Sequence, residues 1–146
     1  MKHALFFGIL AALLVSIGIP ALQQEPNSIY GKLTDGETGD PVAFAKIILI
    51  DQSESGLFDL EYELSSVIPV NTELVVKVAD VTDKNRLSVI FKAHKPAFVF
   101  HAAAYKHVPL MEENPSQAIL TNIEGTKNLA DLSCEYGVKK FVMVST

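Results

Sequence analysis

From residue 47 onward the chain alternates short apolar runs with helix-compatible stretches, and this alternation limits the fold more than any other feature. Residues 47–50 form an apolar run that ends at Asp51, and residues 74–79 a second that ends at Asp80. A third, 97–100, ends at His101, and a fourth, 141–144, ends at Ser145 and Thr146. Between them, residues 55–65 put Leu57, Leu60 and Leu64 on one helical face. Thr82 can cap a helix running to His94, with Leu87, Ile90 and Phe91 at helical spacing. Pro115 can open a long helix to Tyr136, which Gly137 can terminate. The order is βαβαβαβ, which implies a parallel sheet with helices on both faces. Ligands of such sheets sit beyond the carboxyl ends of the strands. Asp51, Asp80, His101 and the Ser145–Thr146 pair therefore mark a candidate binding edge, although any one polar residue there is also ordinary in a loop.

The rest of the composition narrows the reading. With 146 residues the chain has room for one ordinary domain. A net charge of −5 provides no basic surplus for a phosphate backbone, which argues against nucleic acid as a partner. The lone Cys134 excludes an intrachain disulfide and a cysteine-based zinc cluster. Residues 4–22 lack any charge and follow Lys2 and His3, so residues 1–22 read as a signal peptide, with a membrane anchor as the alternative. Basic charge on the N-terminal flank would place the remainder outside the cytoplasm. Residues 23–46 are turn-rich and read as strand, turn, strand.

Residues 47–146 resemble the CapD-like polysaccharide-biosynthesis branch of the extended short-chain dehydrogenases, which are nucleotide-sugar 4,6-dehydratases and epimerases. The resemblance rests on His101-Ala102-Ala103-Ala104-Tyr105-Lys106-His107-Val108-Pro109-Leu110-Met111-Glu112, on Asn122-Ile123-Glu124-Gly125-Thr126-Lys127-Asn128, and on Gly137 to Thr146. It implies NAD or NADP as cofactor and a UDP-sugar-type nucleotide sugar as substrate, and is compatible with a homo-oligomer. Asp51 matches the acidic residue that takes the adenosine ribose hydroxyls, and Asp80 and Val81 the pair at the adenine. As plain structure, Asp51 could be a helix N-cap and Asp80 the start of a turn. The stretch His101, Ala102, Ala103 and Ala104 matches the segment beneath the cofactor, where small side chains let the backbone approach. Lys106 and His107 match the branch signature beside the nucleotide sugar, although a solvated surface position is the usual place for lysine. Asn122 matches an asparagine that supports the active-site backbone, and Thr146, beside Ser145, the residue that hydrogen-bonds the sugar hydroxyl being oxidised.

Two departures accompany this resemblance. The family's dinucleotide site opens with a strand, a glycine-rich turn and a helix before the residue matched by Asp51. Here Gly31, Gly36 and Gly39 do not have that spacing, and Asp40-Pro41 leads into an apolar run and not a helix. The fold expected is thus a partial Rossmann-like parallel sheet that lacks its first strand and glycine-rich loop, with an unfilled gap at its centre. The family pattern also continues past Thr146 to the catalytic base and lysine, so no turnover is expected of residues 47–146. A second, shorter resemblance, through Ser28 to Asp35, Thr38 to Pro41 and Phe44-Ala45, is to the opening of a carboxypeptidase-regulatory-like β-module of envelope proteins. It makes a secreted, non-enzymatic binding or structural role the alternative. An export leader and a cytoplasmic cofactor point to opposite sides of a membrane. The simplest account is a join near residues 46–50 between the two kinds of sequence.

Overall fold

A computed structural model describes residues 12–16, 46–68 and 72–144. Five strands form one sheet: β1 (Ala12–Ser16), β2 (Lys46–Asp51), β3 (Glu73–Val78), β4 (Phe98–His101) and β5 (Lys140–Met143). Their order across the sheet is β3-β2-β1-β4-β5. Helix α1 (Glu54–Ser65) links β2 to β3, and α2 (Lys84–His94) links β3 to β4. Two short helices follow β4, α3 (Val108–Glu113) and α4 (Pro115–Ala118). A π-helical stretch, Ile119–Gly125, then leads into α5 (Thr126–Glu135). The pairs β2–β3 and β4–β5 are parallel, as the alternation of strands and helices requires.

The two faces of β2 explain the layers. Ile48 and Ile50 point to one side, into a core with Leu87, Phe91, Val99, Leu129 and Leu132 from α2, β4 and α5. Ile47 and Leu49 point to the other, against Leu57 of α1. The strand is apolar on both sides because helices cover both sides. All four of these side chains are buried, and each contributes about 1.5–3 kcal/mol relative to an exposed position.

The helix ends follow local chemistry. Ser53 caps α1, its Oγ accepting the Gly56 N–H at 3.1 Å. Thr82 does not cap α2; Asp83 does, accepting the Arg86 N–H at 2.9 Å. The Thr82 N–H is instead bound by the Asp80 carboxylate at 2.8 Å, which holds Thr82 in the preceding turn. Gly137 stops α5 with φ +72°, and the Val138 N–H reaches back to the Ser133 carbonyl at 2.8 Å. The long helix expected from Pro115 to Tyr136 is therefore continuous in direction but not uniform, because seven residues at its centre are π-helical.

The centre of the sheet departs from expectation. The slot between β2 and β4 is filled by β1, which runs antiparallel to both. Ala12 is opposite Ile50 and His101, and Ser16 is opposite Lys46. An open slot would leave the inner edges of β2 and β4 with unpaired N–H and C=O groups in the middle of a core. An apolar segment of either direction satisfies them. The five residues come from the uncharged run of residues 4–22, and while they pair in the sheet they cannot cross a membrane. Among the described residues no helix is long and apolar enough to do so. The other residues of the leader, and residues 28–45 of the β-module resemblance, lie outside the described residues.

Candidate functional site

The carboxyl ends of β2, β3 and β4 bring most of the sequence-predicted residues to one edge. Asp51, the last residue of β2, is buried at 3% exposure. Its Oδ1 accepts the Ser53 N–H at 2.7 Å, and its carbonyl accepts the Ala79 N–H at 2.9 Å. The carboxylate is thereby fixed in the turn between β2 and α1. Asp80 follows β3 in the same way, its Oδ1 holding Thr82. Val81 is buried beside it.

The segment after β4 is held from beneath. His101 is buried, with its Nε2 2.7 Å from the Thr126 hydroxyl. That hydroxyl donates its one proton to the Asn122 carbonyl at 2.7 Å, so His101 Nε2 is the donor of the pair. His101 Nδ1 is then the acceptor for the Ala103 N–H, at 3.4 Å. Ala103 is buried, and Ala102 and Ala104 are half-buried. Tyr105 is clamped on both backbone groups by one side chain. Asn122 Oδ1 accepts its N–H at 2.8 Å, and Asn122 Nδ2 donates to its carbonyl at 3.0 Å. Asn122 is central in the π-helical stretch, a helix form that recurs at functional sites. The Tyr105 hydroxyl also accepts from Gln52 at 3.2 Å, which ties this segment to the end of β2.

Sequence reasoning missed three supports of the edge. Gly125 is packed so closely on Val81 that an added Cβ would fall 2.5 Å from Val81 Cγ2. Asn128 is buried and donates to the carbonyls of Val81 and Thr82 at 3.2 and 3.3 Å. Thr126 joins His101 to Asn122. The signal was present in the spacing: Asn122, Gly125 and Thr126 fall three and four residues apart on one helical face, with a glycine inside a helix that only close packing explains.

Lys106 and His107 are exposed and lead into α3. A cleft of about 370 Å³ opens there, lined by Tyr105, Lys106, Met111, Glu112 and Asn122 among others. Ser145 and Thr146 lie outside the described residues, so Thr146 is not placed relative to this edge.

A match to the family described as polysaccharide biosynthesis protein covers residues 40–146. The chain belongs to that family. It is 48% identical over 101 residues to the capsular polysaccharide biosynthesis protein CapD of Staphylococcus aureus, covering 69% of this chain and 17% of that protein. To the inverting UDP-N-acetylglucosamine 4,6-dehydratase of Campylobacter jejuni it is 43% identical over 101 residues, 69% of this chain and 28% of the enzyme. Among solved structures, the UDP-glucose 4-epimerase of Thermotoga maritima, crystallised with UDP-glucose, superposes with a TM-score of 0.55 at 31% identity. That superposition covers 68% of this chain and 29% of the epimerase. The family and the Rossmann-type α/β class thus agree with the resemblance. The chain spans less than a third of the length of these curated relatives.

Proposed function

We propose that this chain provides the nucleotide-binding part of a nucleotide-sugar 4,6-dehydratase or epimerase of polysaccharide biosynthesis, with a UDP-sugar as substrate. The observation that carries the reading is the placement of Asp51, Asp80–Val81 and the His101–Ala104 segment along one sheet edge, in the order the family uses them. In this reading Asp51 accepts the adenosine ribose hydroxyls, and Asp80 and Val81 bracket the adenine. Ala102, Ala103 and Ala104 form a floor of small side chains beneath the nucleotide. A carboxylate at the ribose favours the unphosphorylated cofactor, because a 2′-phosphate would meet a like charge. NAD is therefore preferred to NADP. Lys106, which lines the α3 cleft, and His107 next to it in the chain address the sugar nucleotide, where an ammonium can meet a diphosphate. Asn122 is a positioning residue through its hold on Tyr105, and Thr146 addresses the sugar hydroxyl.

The residues fit the adenosine half of the cofactor. They do not fit its pyrophosphate, because the strand at the centre of the sheet runs the wrong way to deliver a glycine-rich turn and a helix N-terminus to this edge. No hydride step is therefore assigned to the chain. The test is saturation-transfer NMR of the full chain with AMP. Adenine and ribose protons should receive saturation, and Asp51→Asn should abolish the effect at the ribose. No transfer to AMP would sink the reading.

A further inference from the structure

Resting on that reading, we infer that Asn128 is a positioning residue for the adenine base. Through the peptide between Val81 and Thr82 it sets the direction of the Asp80 carboxylate, and with it the preference for a base that carries an exocyclic amine. Asn128 is buried on α5, where helix propensity gives no reason for an amide. Burying an amide is costly unless its polar atoms are paired. Its Nδ2 donates to the carbonyls of Val81 and Thr82 at 3.2 and 3.3 Å, and these lie 47 and 46 residues earlier in the chain. The amide therefore serves the turn after β3 and not its own helix.

The next link is the Val81–Thr82 peptide. No described peptide bond is cis, so the carbonyl and the N–H of this unit point in opposite directions. The carbonyl is held by Asn128, and the N–H is held by Asp80 Oδ1 at 2.8 Å. One rigid plane thus has the amide at one end and the carboxylate at the other. The Asp80 carbonyl accepts the Asp83 N–H at 3.0 Å, which fixes the Asp80 backbone and leaves the direction of its carboxylate to Thr82. Gly125, packed on Val81, seats the turn against the same helical run. With Oδ1 turned to Thr82, Oδ2 is the oxygen that meets the base. A carboxylate accepts and does not donate, so it rewards an amine, and only while it points at one. Without the Asn128 amide the peptide can rotate, the Thr82 N–H leaves Oδ1, and the carboxylate turns away from the base.

The experiment compares AMP with purine riboside 5′-monophosphate, which lacks only the exocyclic amine. Both are titrated calorimetrically into the full chain as wild type, Asn128→Leu, Asp80→Ala and the double variant. The wild type should bind AMP about tenfold tighter than the analogue, as expected for one hydrogen bond to a charged group. Asn128→Leu keeps the branched shape and removes the donor. It should bring the two ligands within about threefold, chiefly by weakening AMP. In the Asp80→Ala background the same substitution should leave the ratio unchanged, since no carboxylate remains to be directed. A merely structural asparagine would lower the urea midpoint and leave the wild-type ratio in place, and that result overturns the inference. If Asn128→Leu lacks the wild-type circular dichroism, the wild type decides. Its Thr82 N–H and Asn128 side-chain amide resonances should move on saturation with AMP and stay in place with the analogue; equal movement overturns the inference. A wild-type chain that binds both ligands equally overturns it too and leaves the proposed function standing. Failure of both ligands to bind the folded wild type removes the proposed function and the inference together.

Discussion

The outer pair β2–β3 and the central strand β1 are built from similar apolar sequence and end in different states. β2 and β3 run parallel, are joined by α1, and deliver Asp51 and Asp80 to the same edge. β1 has the same ladder on both of its sides, yet points the other way. Hydrogen bonding and apolar burial are nearly indifferent to strand direction, so they close the sheet either way. A binding edge is not indifferent, because only the carboxyl end of a parallel strand leads into the turn that meets a ligand. A sheet can therefore be complete as a fold and incomplete as a site.

The largest effect should come from the outer half. Phe91 of α2 is fully buried in the core it shares with β2, β4 and α5, with the Tyr136 ring centroid 6.0 Å from its own. Phe91→Ala should lower stability by about 3–5 kcal/mol, through lost burial and the cavity left behind. Urea denaturation followed by circular dichroism measures it. A loss under about 1 kcal/mol would mean that α2 does not pack on the sheet as described.

The central strand is tested next through its backbone. Leu14 pairs with Ile48 on one side and Val99 on the other. Leu14→Pro removes a ladder donor and places a ring where only edge strands accept one. The expected cost is about 2–3 kcal/mol. Hydrogen exchange should accelerate at residues 47–50 and 98–101 before it does at β3. Unchanged protection there would show that β2 and β4 do not depend on β1 to close the sheet.

The outer half was legible in the sequence and the centre was not, for physical reasons. Leu57, Leu60 and Leu64, and Leu87, Ile90 and Phe91, repeat at helical spacing, and the four later strands are short apolar runs ending in a polar residue. Those patterns are local, and the structure follows them within a residue or two. The pairing of Ala12–Ser16 with strands thirty or more residues away is non-local, and an uncharged run reads equally as leader, helix or buried strand. The π-helical turn was hidden for a similar reason. Only the tertiary demand of Asn122 for the Tyr105 backbone distinguishes it from ordinary helix. At the edge, Asp51, Asp80 and His101 were legible as strand-end polar residues. Gly125 and Asn128 were not, because their partners are the main chain and side chain of a turn some forty-five residues earlier.

Gly125→Ala probes the turn at the end of β3 at smaller cost. The added methyl meets Val81 at 2.5 Å, too close for any real contact, so either the Asp80–Val81 turn or the helix must shift. Overpacking of this kind costs about 1–3 kcal/mol. The useful feature is where the shift goes. Amide chemical shifts of residues 80–82 should move, while those of Asp51 and Ser53, on the neighbouring strand end, should stay in place. Shifts spread evenly along the edge would mean that the outer half responds as one body and that Asn128 does not hold its turn separately.

The smallest effect joins the same turn to α5 through charge. Asp131 receives Lys127 at 2.6 Å and Lys84 at 3.1 Å, linking α5 to the first residue of α2. Hydrogen bonds from Lys127 and then Lys84 hold its carboxyl below the usual range. The same contact with Asp131 raises Lys127. A depressed carboxyl stabilises the fold above its unfolded value of about 4, and that contribution is lost as pH falls through the lower folded value. The raised lysine contributes below its unfolded value of about 10.4, and loses its effect only as pH rises beyond that. Between these limits the pair is constant, and solvent screening keeps it weak. Asp131→Asn should therefore lower the urea midpoint slightly at pH 7 and low salt. The difference from wild type should vanish on acidification to about pH 2–3, and shrink in 1 M salt. Because Asp131 and its two lysines lie on α5 and α2 and not on the strands that pair with β1, a variant carrying both Leu14→Pro and Asp131→Asn should show the two losses adding. A clear departure from additivity would mean that the central strand and the outer helices are coupled after all, and that the direction of β1 bears on the turn that holds Asp80.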